Sequence, residues 1–278
     1  MNWNWLYSLI YGAISGISEF LPVSSDAQRL LLFKIAGLSD PGPSMLLAVH
    51  LGCLLALLLT NYGKLAKLFR ERKLASIPPR RRRRQPDAVS LIEFRLIKIA
   101  AVPLVLSCVA TYWLYGKVNN LLVLSLFLCL NGALILFPEH MQRSNKDARS
   151  LSPFDALLTG LGGALGIVPG ISRIGTFSSF ASIRGADQQY ALRFAYLLLI
   201  PAFAVLCAVD VALLIAGVGD PMGGSMILNL FLTFCASVTT AGAGIYLMRF
   251  LSVKIGYSGF AYYSFGLGIF TLILYLIG

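Results

Sequence analysis

Six apolar stretches, each near the ~20 residues a helix needs to cross a bilayer, decide what this chain can become. They are Pro43 to Tyr62, Ile97 to Tyr115, Leu121 to Phe137, Tyr190 to Val218, Ser225 to Phe250 and Gly259 to Ile277. Inside hydrocarbon, every backbone N–H and C=O has to be bonded within the protein, so such stretches become helices. Four shorter runs remain, in two pairs: Leu6 to Leu21 with Gln28 to Gly37, and Phe154 to Val168 with Ile174 to Ile183. A proline motif splits each pair. Neither half spans alone, so each pair predicts a hairpin that enters the membrane and turns back. The expected fold is an all-α polytopic membrane protein, with about six transmembrane helices plus two re-entrant helical hairpins, in one membrane domain over residues 1–278.

Composition excludes a soluble domain. Only 13% of residues are charged and mean hydropathy is +0.76, where a soluble domain carries about a quarter charged residues. Met1 to Trp5 lacks the basic start of a cleavable leader, and Trp3 and Trp5 read as interfacial anchors. Five cysteines, Cys53, Cys108, Cys129, Cys207 and Cys235, lie in apolar runs at spacings that fit no metal motif. They read as packed thiols.

Loop charge sets the orientation. Residues 63–95 hold Lys64, Lys67, Arg70, Arg72, Lys73 and the run Arg80 to Arg84, and read as a basic cytoplasmic loop. Arg143, Lys146 and Arg149 mark a second cytoplasmic segment, and Arg249 to Lys254 a third, leaving Lys117 and the Gly219-Asp220 turn outside. With six spans, the first hairpin enters from outside and the second from inside. The halves, 1–137 and 153–278, then form an inverted-topology repeat. Pro22-Val23-Ser24-Ser25 matches Pro169-Gly170-Ile171-Ser172, and Gly12 and Gly16 match Gly160 and Ala164. The net charge of +11 sits in loops. That suits anionic membrane lipids, not nucleic acid, and leaves room for a homodimer.

The two split motifs carry the chemistry. They are Glu19-Phe20-Leu21-Pro22-Val23-Ser24-Ser25 and Pro169-Gly170-Ile171-Ser172-Arg173. Ionisable residues at membrane depth are functional candidates by default, here Glu19 and Arg173. Ser24, Ser25 and Ser172 stand where N-cap residues stand. Two half-helix N-termini converging near the midplane make an anion site, and phosphate is its usual occupant. Arg173 adds a forked cationic donor, and Gly170 lets backbone approach a ligand. A carboxylate beside a serine suggests Glu19 as general base for Ser25 or for water. His50 reads as a hydrogen-bonded packing residue. Asp210 reads as a structural or interfacial acid toward the outer end of its helix.

Together with His50-Leu51-Gly52, and Ala191-Leu192-Arg193-Phe194 leading to Ile200-Pro201-Ala202, these motifs resemble the undecaprenyl pyrophosphate phosphatase (BacA-type) family almost end to end. The resemblance implies a bacterial cytoplasmic-membrane hydrolase that acts from the outer face. It would remove the terminal phosphate of a polyprenyl pyrophosphate and recycle the lipid carrier. By motif position it implies Glu19 and Ser25 as catalytic residues and Ser172 and Arg173 as the phosphate-binding pair; Arg173 is expected to be catalytic as well, and Ser24, Asp26, Gln28 and Gly170 complete the expected substrate-binding set with Ser172. It also implies a divalent cation, Mg2+ or Ca2+, with Glu19 as candidate ligand. The chain departs from the family at Ser15, which replaces the first acid, and at Gln28, which replaces a histidine. Asp26 stands for a small hydroxyl residue, and Ile174 and Phe177 for a serine and a threonine. Two other functions stay open: a flippase of the lipid monophosphate, and a lipid-binding paralogue without catalysis.

Overall fold

The computed structural model describes residues 4–114, 120–140, 146–218, 224–254 and 257–277. Met1, Trp3, Lys117, Arg143 and the Gly219-Asp220 turn lie outside the described residues. Ten α-helices are described: α1 (Trp5–Ser18), α2 (Ser25–Ala36), α3 (Gly42–Ser76), α4 (Ala88–Leu114), α5 (Leu121–Leu136), α6 (Pro153–Ala164), α7 (Arg173–Ile183), α8 (Gln188–Ile215), α9 (Gly224–Lys254) and α10 (Ser258–Ile277).

Five of these are long and apolar enough to cross a membrane: α3, α5 with the turn that extends it to Glu139, α8, α9 and α10. The sixth expected span falls on α4, which has 27 residues and carries Glu93, Arg95 and Lys98 in its first half. The arms of the two hairpins are short, at 14 and 12 residues in α1 and α2 and 12 and 11 in α6 and α7. At 1.5 Å per residue they reach roughly 16–21 Å, short of a ~30 Å hydrocarbon core. Large apolar side chains such as Leu126, Ile227, Phe231 and Ile269 stay exposed on the outside of the bundle, a surface suited to lipid. The protein is a multi-pass, all-α membrane protein.

Helix pairing exchanges between the halves. α1 packs on α9 as α6 packs on α4, α3 packs on α9 as α8 packs on α4, and α3 with α8 and α5 with α10 pair with their own counterparts. Small residues permit the close approaches. A Cβ at Gly12 would stand 2.5 Å from the Thr233 carbonyl oxygen on α9, and one at Gly160 only 2.2 Å from that of Ala100 on α4.

The basic segment 63–95 is mostly helix, which corrects the expected loop. α3 continues to Ser76 and α4 begins at Ala88, so only 77–87 connect them. Leu, Lys, Arg, Glu and Ala are strong helix formers, and charges on the α3 extension pair with the α4 extension and with the connection. Lys64 bonds Glu93, Arg84 bonds Glu71, and Lys67 meets Asp87 at 2.7 Å. The Lys67 ammonium and the Ser90 hydroxyl hold the Asp87 carboxyl down at about 2. Pro78 and Pro79 end the helical run.

Candidate active site at the hairpin tips

Two broken segments, residues 19–24 and 165–172, meet in the interior. Ser24 caps α2, accepting the Ala27 N–H at 3.3 Å, and Ser172 caps α7, accepting the Gly175 N–H at 3.2 Å. Each cap also reaches the other hairpin. The Gly170 N–H donates to Ser24 Oγ at 2.9 Å, and Ser172 Oγ donates to the Leu21 carbonyl at 3.2 Å. Asn131 of α5 braces the junction. Its Oδ1 accepts the Ser172 N–H at 2.8 Å, and its Nδ2 donates to Ser264 Oγ at 3.0 Å. Gly170 is required here: its φ is +103°, and a Cβ would stand 2.7 Å from Phe127 Cβ. Phe20 seats the first tip against α8, with its ring 5.8 Å from Phe203 and 6.1 Å from Tyr196.

These contacts bring the N-termini of α2 and α7 to one place. The first N–H groups of each helix, at Ser25, Asp26, Arg173 and Ile174, have no intrahelical acceptor, the arrangement that suits an anion at a helix N-terminus. Glu19 lies beside them, 4% exposed. Its Oε1 accepts Ser25 Oγ at 2.7 Å and Arg29 Nη1 at 3.3 Å, and its Oε2 accepts Arg173 Nη1 at 3.0 Å. Arg29 also binds Asp26. Two guanidiniums therefore balance two carboxylates in a buried cluster. Each guanidinium carries five N–H donors, more than these carboxylate contacts use, and both residues line the neighbouring cavity.

A cavity of about 150 Å³ opens beside the cluster, lined by Asp26, Arg29, His50, Pro169, Arg173 and Asp210. It has room for several waters. Thr111 and Leu114 near the end of α4, Val209 and Leu213 near the end of α8, and Asp40 before α3 also line it. These ends lie opposite the 77–87 connection. His50 Nδ1 stands 2.6 Å from Asp210 Oδ2, both residues 2% exposed. His50 Nε2 is buried and has no hydrogen-bond partner among the described residues. An unmet buried polar atom costs about 1–3 kcal/mol, so this nitrogen calls for a water or a ligand.

Most of the expected residues converge. Glu19, Ser25 and Arg173 share one hydrogen-bonded cluster, Ser24, Gly170 and Ser172 build the junction, and Asp26 stands on the cavity wall. Gln28 does not join them, and its Nε2 donates to the Tyr263 hydroxyl at 2.8 Å. The helix period is the reason. At 100° per residue, positions 25, 29 and 26 fall at roughly 0°, 40° and 100° on α2, and position 28 falls at roughly 300°. Gln28 instead borders a separate apolar cavity of about 560 Å³ between the first hairpin and α10. Ser15 is buried, and its Oγ has no partner among the described residues. His50, expected as a hydrogen-bonded packing residue, is buried and bonded to Asp210, and both residues line the cavity.

Arg29 and Asn131 join the site without being marked by either proline motif. Arg29 carried the signal that singled out Arg173, a cation within an apolar run, but lay outside both proline motifs. Nothing in the sequence pattern marked Asn131.

Among the described residues the side chains form no cage for a divalent cation by themselves, and a cation held by one or two carboxylates would share its remaining places with substrate phosphate oxygens. Glu19 already serves Ser25, Arg29 and Arg173, and Asp26 serves Arg29. Among the described residues no three His, Cys, Asp or Glu side chains cluster as a metal site. All five cysteines are free.

The chain is similar to known proteins over nearly its whole length. It is 30% identical over 268 residues to the undecaprenyl-diphosphatase of Micrococcus luteus, covering 95% of this chain and 94% of that protein. It is 29% identical to the undecaprenyl-diphosphatase of a Nocardioides species, covering 99% and 98%. It is 27% identical to undecaprenyl-diphosphatase 2 of Streptomyces coelicolor, covering 99% and 96%. The family described as bacitracin resistance protein BacA matches residues 8–270, and this chain belongs to that family.

Proposed function

We propose that this chain hydrolyses undecaprenyl pyrophosphate to the monophosphate at the outer face of the bacterial cytoplasmic membrane, recycling the lipid carrier for envelope synthesis. One observation carries this reading. The hydroxyl of Ser25 donates to Glu19 at the meeting point of two helix N-termini and two guanidiniums. A hydroxyl bonded to a carboxylate is a nucleophile and its base, and the surrounding donors fit a phosphoryl group in transfer.

In this reading Ser25 Oγ attacks the terminal phosphorus and Glu19 takes its proton. Arg173, Arg29 and the first N–H groups of α2 and α7 stabilise the charge that spreads over the equatorial oxygens. Ser24, Ser172 and Gly170 hold the two tips in register. The cavity lining supports outer-face access, because it includes helix ends at the side of the bundle opposite Arg80 to Arg84, and basic loops stay cytoplasmic. Those arginines suit anionic headgroups on the inner leaflet.

The test is phosphate release by purified protein given undecaprenyl pyrophosphate in detergent. Steady release of one phosphate per lipid supports hydrolysis. The exchange of helix pairs between the halves also suits a carrier. Transport of the lipid monophosphate across vesicles with no phosphate release would favour that second reading.

A further inference from the structure

We propose that His50, oriented by Asp210, is the base that activates water in the second half of this reaction, freeing Ser25 from its phosphate. The proposal rests on the phosphatase reading above.

A carboxylate only accepts hydrogen bonds, so the 2.6 Å contact with Asp210 Oδ2 places the ring hydrogen on His50 Nδ1. Nε2 keeps its lone pair. It is buried, has no partner among the described residues, and belongs to a residue that lines the same cavity as Arg29 and Arg173. Asp210 serves as a positioning residue, and the Phe203 ring, 5.7 Å away, confines the imidazole.

The reaction needs a second base. In the first step the Ser25 proton passes to Glu19, the bridging P–O bond breaks, and its electron pair leaves with the polyprenyl monophosphate. Glu19 then already carries a proton when water must lose one. The other acids described on the cavity wall are engaged: Asp26 with Arg29, Asp210 with His50, and Asp40 with the Gly42 N–H at 2.9 Å. Gln28 cannot serve, because an amide is no base and its Nε2 donates to the Tyr263 hydroxyl. His50 Nε2 is the open acceptor. Water attacks the phosphoserine phosphorus and gives its proton to Nε2. The P–Oγ bond breaks, Oγ regains the proton from Glu19, and His50 passes its proton to the departing phosphate.

The test is turnover of undecaprenyl pyrophosphate by the wild type, His50→Gln and Asp210→Asn, with mass spectrometry of each protein during turnover. His50→Gln should lose about 100-fold in kcat, with KM little changed, and should accumulate phosphoserine at position 25. Asp210→Asn should accumulate it more weakly. A purely structural role would leave no phosphoserine. Wild-type turnover with His50→Gln equally active overturns the proposal, and so does a slowed His50→Gln that still binds lipid monophosphate but stays unphosphorylated. If His50→Gln fails to fold, His50→Asn is read by the same outcomes. A wild type that releases no phosphate overturns the phosphatase reading itself, and this assignment with it.

Discussion

Arg29→Met removes every donor of a side chain that two acids share, while keeping length and apolar stem. Arg29 is 6% exposed, stands 3.3 Å from Glu19 and bonds Asp26 directly. Removing one partner from a buried ion pair costs about 3–5 kcal/mol, because the remaining charge is stranded. Two features lower that figure. Arg173 still holds Glu19 at Oε2, and the Asp26 side chain, 26% exposed, can draw water from the cavity. The expected loss is about 3 kcal/mol, or roughly 6–12 °C in Tm at 2–4 °C per kcal/mol. Thermal unfolding in detergent reads it through a thiol-reactive dye, since Cys53, Cys108 and Cys207 are buried until the bundle opens. The double variant Arg29→Met with Asp26→Asn should recover part of the loss, with a coupling of about 1–2 kcal/mol. An Arg29→Met protein that melts with the wild type, and a double variant with no coupling, would refute the four-charge cluster.

Three further outcomes are expected. Arg173→Ala should weaken binding of polyprenyl monophosphate by about 1.5–3 kcal/mol, roughly 10- to 100-fold in Kd, with Arg173→Lys recovering part of it in the same titration. Gly170→Ala should cost about 1–2 kcal/mol for the left-handed backbone alone, and should also slow turnover by pushing the tip off Phe127, as read by unfolding and kcat together. A single cysteine near Arg82, in a protein freed of its own five, should resist an impermeant reagent in intact cells, whereas one near Asp40 should react.

The fold was legible because the bilayer leaves so few choices. Apolar length marked the helices, and Pro22 and Pro169 marked the breaks. The converging serines and Arg173 followed from the need to satisfy backbone at depth. What escaped the sequence was tertiary. Arg29 sits one turn beyond Ser25, so its place in the cluster depends on which face of α2 turns inward. His50 and Asp210 are 160 positions apart, and only the packing of α3 on α8 joins them. Asn131 lies in an apolar helix with no local sign of its bonds to the second hairpin. The basic stretch misled for a related reason. Positive charge predicts its side of the membrane but not its conformation, and Lys64 with Glu93 and Arg84 with Glu71 tie the helical stretches together.

Phosphate release by Ser25→Ala, set beside the wild type and Glu19→Gln, most directly tests whether the hairpin tips form a hydrolytic site. Ser25 Oγ and Glu19 Oε1 form one hydrogen-bonded unit at 2.7 Å, so each variant should lose at least about 100-fold in kcat and the pair little more than either alone. Binding of undecaprenyl monophosphate should persist in both, because Arg173, Arg29 and the helix N-termini remain. Turnover close to wild type in Ser25→Ala, with lipid binding intact, would contradict the serine's role and place the chemistry elsewhere in the chain.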